Sequence, residues 1–127
     1  MAFDWAEFLA VAEHLHTVPA PGCTREALLR SVVGRAYYAA YGVARRYAAQ
    51  RLNFRVHDRP DDHERLPGRF ISHGLPKVGV YLRELREARN ECDYADIVDD
   101  FDGVAMSALM RARQIMDELA ARQPPST

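Results

Sequence analysis

The sequence predicts an all-α protein: an up-and-down helical bundle of four long helices plus a short irregular or helical insert. Apolar residues recur at spacings of three and four in four segments, which is the pattern of one buried helix face. No segment of strand length alternates between apolar and polar residues, so a sheet is not expected. The 127 residues, 48% of them hydrophobic and 28% charged, fit one globular domain.

The first helix is predicted between Phe3 and Leu15. Five side chains at helical spacing form its apolar face: Trp5, Phe8, Leu9, Ala12 and Leu15. Two prolines and a glycine in residues 18–22 cannot continue a helix. We therefore expect a loop between the first and second helices.

The second helix is predicted to begin after Thr24, a good N-cap residue, and no proline interrupts the sequence from Arg25 to about Leu52. Its apolar residues form a broad stripe, so the helix must be covered on more than one side. We expect it to be the central helix and to contribute to a dimer interface. Four arginines near its end either complement the helix dipole or form a phosphate-binding patch: Arg45, Arg46, Arg51 and Arg55.

The remaining helices follow an irregular insert. Prolines and glycines in residues 53–74 limit any helix there to a turn or two. Pro76 can open the next helix, whose buried stripe contains Val78, Tyr81, Leu82, Leu85, Ala88 and Cys92. The last helix is predicted from about Asp99 to Ala121, with seven residues facing inward: Phe101, Val104, Ala105, Ala108, Ala112, Ile115 and Leu119.

The chain is predicted to hold a single domain, residues 1–122, followed by a flexible C-terminal tail, residues 123–127. Its apolar runs fall far short of the roughly 20 residues that cross a bilayer, and Met1 to Ala10 lacks the features of a secretory signal. We therefore expect a cytoplasmic protein with no membrane contact. The sequence contains no phosphate-binding loop and no metal-ligand cluster, which predicts no cofactor and no metal. Because the net charge is -1, any contact with RNA must be local.

Two blocks of the sequence resemble one protein family. The stretch from Ser31 to Tyr41, SVVGRAYYAAY, resembles the signature helix of HEPN domains, in the subgroup with an S-x-x-x-R-A-Y-Y-A-A-aromatic pattern. The stretch from Leu82 to Tyr94 is similar to that subgroup's second block, a leucine- and arginine-containing helix that ends in Asp-Tyr. Together the blocks cover about Ser31 to Asp96 in outline.

The resemblance implies a helical bundle that is commonly a homodimer in prokaryotic toxin-antitoxin and defence systems. Such proteins are often encoded beside a minimal nucleotidyltransferase, which makes a nucleotidyltransferase a candidate partner. Many members are metal-independent RNases with the motif Arg, four to six residues, then His. In that chemistry a base takes the proton of the ribose 2'-hydroxyl and a cation stabilises the charged phosphorane.

Arg89-Asn90 is similar to the start of this motif, and Tyr94 stands where a motif with four intervening residues would have its histidine. Arg89 and Tyr94 are therefore the candidate catalytic residues. However, no histidine follows His73 in the sequence. A tyrosine with a pKa near 10 is a poor general base at neutral pH. The sequence therefore leaves open whether the protein is an enzyme.

The candidate residues for binding RNA or a nucleotide are Arg86, Asn90 and Asp93, which share a polar helix face with Arg89. In the functional interpretation the arginines hold a phosphate or nucleotide in a dimer cleft and Asn90 orients it. Tyr94 then stacks on this ligand or donates a hydrogen bond to it. In the structural interpretation Asp93 pairs with the arginines and Tyr94 anchors the helix against its neighbour.

Histidines outside this helix are weaker candidates. Arg51 and His57 satisfy the motif's spacing, but they lie where the second helix ends. His63 and His73 in the insert could face the same cleft, although loop histidines are usually solvated.

The sequence supports two hypotheses about function. The first is a HEPN-like homodimer that binds RNA or a nucleotide, with metal-independent RNase activity as its enzymatic form. The second is a non-catalytic interaction module that partners a nucleotidyltransferase or another effector.

Overall fold

The computed structural model describes residues 2–20 and 22–122. The described residues form five helices: α1 (Glu7–Thr17), α2 (Arg25–Arg51), α3 (Asp62–Ser72), α4 (Pro76–Tyr94) and α5 (Phe101–Arg122). They include no strand, so the predicted all-α class is confirmed. None of these helices is sufficiently long and apolar to span a membrane. The predicted tail, residues 123–127, lies outside the described residues.

The long helix α2 lies at the centre of the fold. Its start is capped as predicted, because Thr24 Oγ1 accepts a hydrogen bond from the backbone N–H of Ala27 at 3.1 Å. It contacts each of the other four helices. Its residues Ala36, Ala39 and Ala40 are fully buried, and such small side chains allow neighbouring helices to approach closely.

The insert contains a helix, α3, that is as long as α1. Both span 11 residues, so the prediction of a turn or two was wrong. Pro67 lies inside α3, where it removes one intrahelical hydrogen bond, but it is buried together with Leu66 and Phe70. The burial of these apolar side chains offsets the lost hydrogen bond. Gly79 of α4 permits this packing, since a Cβ there would collide with the carbonyl oxygen of Pro67.

The start of α1 lies later in the chain than predicted. The Asp4 carboxylate accepts a hydrogen bond from the N–H of Ala6 at 3.1 Å, and the Asp4 carbonyl accepts one from Glu7 at 3.0 Å. These bonds form a turn that contains Trp5, and the helix begins at Glu7. Trp5 is thus placed outside α1, against α2.

The buried residues of α4 and α5 lie on the apolar faces that the sequence predicts. α4 begins at Pro76 as expected, and Val78, Leu82 and Leu85 are buried. α5 begins two residues later than predicted, because Asp100 has a left-handed φ of 52° and its carboxylate accepts the N–H of Gly103 at 3.2 Å. The inward residues of α5 join the core that connects all five helices.

Candidate functional site

A cavity of about 490 Å³ opens where α2, α3 and α4 meet. Four arginines line it: Arg45 of α2, Arg59 of the α2–α3 loop, and Arg86 and Arg89 of α4. Two carboxylates also line it, and one of them, Asp62, is held by Arg65 at 2.6 Å. The cavity, which we call the arginine cleft, therefore carries an excess of positive charge in a chain whose net charge is -1.

His63 of α3 lines the arginine cleft between two tyrosines. Its ring stacks on that of Tyr41, with centroids 4.0 Å apart and planes 8° from parallel, and its Nδ1 forms a hydrogen bond with the hydroxyl of Tyr37. Burial lowers the pKa of His63 below its ordinary 6.5, and the charges of Arg86 and Arg89 lower it further. His63 is therefore neutral at pH 7.

The hydrogen bond with Tyr37 determines the tautomer of His63. Tyr37 is 1% exposed and burial raises its pKa, so its hydroxyl keeps its proton and needs an acceptor. Within the described part of the chain, that acceptor is His63 Nδ1. Neutral His63 then carries its own proton on Nε2, at the other side of the ring. This N–H can donate a hydrogen bond to an anion, but Nε2 has no lone pair with which to act as a base.

Arg89 is largely enclosed although it carries a full charge. Its side chain is 14% exposed, and its guanidinium lies 5.4 and 5.5 Å from the ring centroids of Tyr37 and Tyr38. Its ion pair with Asp93 is long, at 3.4 Å, and its buried Nε–H has no partner among the described residues. A buried donor without a partner costs about 1–3 kcal/mol, so the hydrogen-bonding capacity of Arg89 is underused.

Arg86 and Arg45 are also weakly paired. Arg86 Nη1 lies 3.8 Å from Glu64 Oε1, which is beyond hydrogen-bond distance, and its buried Nε–H has no partner in residues 2–20 and 22–122. The Arg45 guanidinium lies 5.4 Å from the ring centroids of both Trp5 and Tyr41. These guanidinium groups can therefore bind an anion without first breaking a strong ion pair.

The N-terminal turn forms one wall of the arginine cleft. Trp5 packs directly on α2 at Gly42, because a Cβ at residue 42 would overlap the indole ring. Arg46 holds the same segment by donating a hydrogen bond to the carbonyl oxygen of Phe3 at 2.8 Å. Trp5 and Tyr41 thus place two aromatic surfaces around Arg45.

The buried carboxylate of Asp62 orders the α2–α3 loop. Asp62 is 1% exposed and accepts hydrogen bonds from the backbone N–H groups of His57 at 3.0 Å and Asp58 at 2.9 Å. Burial would raise the pKa of Asp62, but the hydrogen bonds from Arg65 and these N–H groups outweigh burial and lower it. This carboxylate is a structural group that fixes one side of the cleft.

Arg51 and His57, which match the spacing of the RNase motif, contact different groups in the structure. Arg51 lies against the Tyr47 ring, whereas His57 lies near Asp61 and Asp62, so the two side chains have different surroundings. The ligand atoms of His57, Asp61 and Asp62 lie within 4.8 Å of one another, as in some metal sites. However, the Asp62 oxygens are already used by Arg65 and two N–H groups, so these residues order a loop.

The five predicted residues of α4 are divided among several surroundings. Arg86 and Arg89 line the arginine cleft, whereas Asn90 lines an adjoining cavity. Asp93 pairs with Arg89, as the structural interpretation predicts. Tyr94 ends α4 and is 79% exposed, so the expectation that it anchors the helix against its neighbour is wrong.

The sequence predicted His63 only as a weak candidate and Arg45 only as one of four arginines in a possible phosphate-binding patch, and it did not predict Trp5 as a member of this site. His63 precedes Leu66 and Phe70 by three and seven residues, and this helical spacing would have placed it on the buried face of α3. His63 was expected to be a solvated loop histidine because the insert was predicted to lack a helix of this length. No local pattern could have placed Trp5, since its position depends on packing against Gly42.

Other cavities lack this combination of groups. A groove of about 430 Å³ beside α1 and α5 is lined by the apolar residues Met106, Leu109 and Met110, and its arginine, Arg113, pairs with Glu13. The arginine cleft is therefore the candidate site. No family model, curated protein or solved structure matches the chain, so the functional argument depends on the residues of this cleft.

Proposed function

We propose that the protein is a HEPN-like RNA- or nucleotide-binding homodimer of a prokaryotic toxin-antitoxin or defence module, and that the arginine cleft holds the phosphate. One observation carries the proposal: weakly paired guanidinium groups converge with His63 in one cavity. Arginine suits this ligand because its planar fork matches the oxygens of a phosphate and it is always charged. A bound phosphate would accept hydrogen bonds from the weakly paired terminal N–H groups of Arg86 and Arg89.

Aromatic side chains favour a nucleic acid over inorganic phosphate as the ligand. Tyr38 and Trp5, which are partly exposed, line the cleft together with the arginines. Single-stranded nucleic acids bind in positively charged grooves with aromatic rings on which bases stack. The cleft combines both features within one cavity, so single-stranded RNA is the ligand that it fits best.

The tautomer of His63 favours binding over cleavage. A metal-independent RNase needs a base for the 2'-hydroxyl proton, and His63 is the histidine nearest to the two arginines of α4 that line the cleft. Its Nδ1 accepts the Tyr37 hydroxyl, so its Nε2–H donates to phosphate instead. This arrangement supports the alternative of a non-catalytic module that partners a nucleotidyltransferase or another effector, with RNA or a nucleotide as its ligand.

Fluorescence anisotropy with a labelled single-stranded RNA tests the proposed binding. We expect the wild type to bind and Arg89→Ala to bind at least about tenfold more weakly, because a hydrogen bond to a charged group contributes about 1.5–3 kcal/mol. Arg113→Ala is the matched control, since Arg113 is an arginine of α5 that pairs with Glu13 outside the cleft. Equal losses in both variants, or no binding by the folded wild type, would disprove the proposal.

A further inference from the structure

A second cavity adjoins the arginine cleft and shares two residues with it. This polar pocket has a volume of about 280 Å³ and lies between α3 and α4. His63 and Arg86 line both cavities, so the two cavities meet at these side chains. Pockets for whole small-molecule ligands start at about 300 Å³. The size of the polar pocket therefore suits a single ring system better than a whole nucleotide.

The polar pocket differs chemically from the arginine cleft. Two carboxylates, those of Glu64 and Glu87, line it together with Asn90 and Arg83. Arg83, Glu87 and Asn90 are spaced by four and three residues, which places them along one face of α4. Carboxylates repel a phosphate but accept hydrogen bonds from N–H groups. The pocket thus offers acceptors and donors to a neutral polar ligand.

The Glu87 carboxylate is available for such a ligand. Its residue is exposed, and it forms none of the ion pairs found among the described residues. Glu64 is also accessible, with a side chain that is 71% exposed and only a 3.8 Å contact to Arg86. Neither carboxylate has to leave a strong partner before it can accept a hydrogen bond from a ligand.

We propose that the polar pocket is a base-recognition subsite, which prefers bases that carry an exocyclic amino group over uracil. The inference rests on the proposed function, because a phosphate in the arginine cleft places the adjoining nucleoside across His63 and Arg86. Glutamate accepts hydrogen bonds from the amino group of cytosine, and asparagine pairs with the edge of adenine. Uracil presents a carbonyl oxygen where cytosine presents its amino group, so it faces the carboxylates with the wrong polarity.

Binding of short RNA homopolymers tests the inference. Fluorescein-labelled octamers of cytidine, adenosine and uridine are titrated with the wild-type protein. We expect the cytidine and adenosine octamers to bind at least about fivefold more tightly than the uridine octamer, because a well-formed side-chain contact to a base edge discriminates by about 1–3 kcal/mol. In Glu87→Gln this preference falls to less than about twofold, since the amide can also donate a hydrogen bond to uracil.

Glu91→Gln is the matched control, because it removes the same charge from α4. Glu91 lines the cavity beside α5, which Glu87 also borders, but it does not line the polar pocket, so this variant should keep the preference of the wild type. Equal binding of the three octamers by the wild type would overturn the inference while leaving the proposed function intact. Equal loss of preference in Glu87→Gln and Glu91→Gln would also overturn it, because a general charge effect would then explain the preference. If no octamer binds to the folded wild type, the proposed function fails first.

Discussion

A single hydroxyl group, that of Tyr37, determines what His63 can do in the cleft. The buried hydroxyl has His63 Nδ1 as its acceptor in the described part of the chain. The histidine is therefore a hydrogen-bond donor at Nε2 and is kept neutral by burial and by two arginines. In the proposed complex, this residue type, which serves as a base in other sites, donates a hydrogen bond from Nε2 to the phosphate.

The tautomer of His63 can be measured directly by nitrogen NMR. At pH 7 we expect His63 to be neutral with its proton on Nε2, because Nδ1 accepts the Tyr37 hydroxyl. Since its pKa lies below 6.5, the doubly protonated ring of His63 should become the main form only below pH 6.5. In Tyr37→Phe the Nδ1–H form should become populated. A wild-type His63 with its proton on Nδ1 would contradict the assignment and restore Nε2 as a base.

Asp62 provides a second prediction at the level of one residue. Asp62→Asn should lower the free energy of unfolding by about 2 kcal/mol at pH 7, because a charged acceptor is lost. The folded-state pKa of Asp62 is depressed, so its contribution exists above the unfolded pKa and is lost as the pH falls through the folded value. The difference between variant and wild type should therefore shrink below about pH 4.

Urea unfolding at several pH values measures this difference. Asp61→Asn is the matched control, since Asp61 is the adjacent carboxylate and its side chain is 46% exposed. Exposed ion pairs contribute about 0–1 kcal/mol, so this variant should remain close to the wild type. Equal destabilisation by both substitutions would show that Asp62 has no special role in the loop.

At the level of helices, two glycines of α2 have opposite roles. A Cβ at Gly42 would overlap the Trp5 ring, whereas a Cβ at Gly34 meets no atom within 4 Å. Gly42→Ala should destabilise the fold by about 1–3 kcal/mol through overpacking, and Gly34→Ala should stabilise it by about 0.5–1 kcal/mol through its helix propensity. Thermal unfolding compares the two variants.

Trp5 is the only tryptophan of the chain, so its fluorescence reports on the wall of the cleft. Gly42→Ala should shift the emission towards that of a solvated indole, because the added methyl group displaces the ring from α2. Gly34→Ala should leave the emission unchanged. An unchanged spectrum in Gly42→Ala would show that Trp5 does not depend on contact with α2.

Helix boundaries show how far the sequence could predict the fold. The local signals at Thr24 and Pro76 located the starts of α2 and α4 correctly, because caps and prolines act within one turn. The length of α3 could not be predicted in the same way. Pro67 argues against a helix locally, and only the packing of its buried face against α4 makes the helix favourable.

The candidate site was predictable only in part, for the same physical reason. Arg86 and Arg89 could be identified because both lie on one helix at a spacing of three. His63 and Arg45 reach the same cavity from α3 and α2, and no pattern within a single helix contains that tertiary contact. The sequence therefore identified the arginines of α4 as one site, but it could not show that His63 and Arg45 share their cavity.

For the whole molecule, the proposal of a homodimer gives a further prediction. Light scattering should report twice the mass of the 127-residue chain, as expected from the family resemblance of the two sequence blocks. The Arg89→Ala variant should also be dimeric, because this substitution changes the cleft and leaves the surface of the bundle otherwise intact. A monomer at tens of micromolar protein would contradict the homodimer.

The arginine cleft is proposed to bind the phosphates of single-stranded RNA. NMR spectra of the arginine Nε–H groups report on this binding residue by residue, with a short cytidine oligonucleotide as the titrant. We predict that the signals of Arg86 and Arg89 shift while that of Arg25, whose Nε–H is bonded to Asp102 at 3.1 Å, stays in place. Shifts confined to arginines outside the cleft, or no shifts at saturating oligonucleotide, would contradict the account.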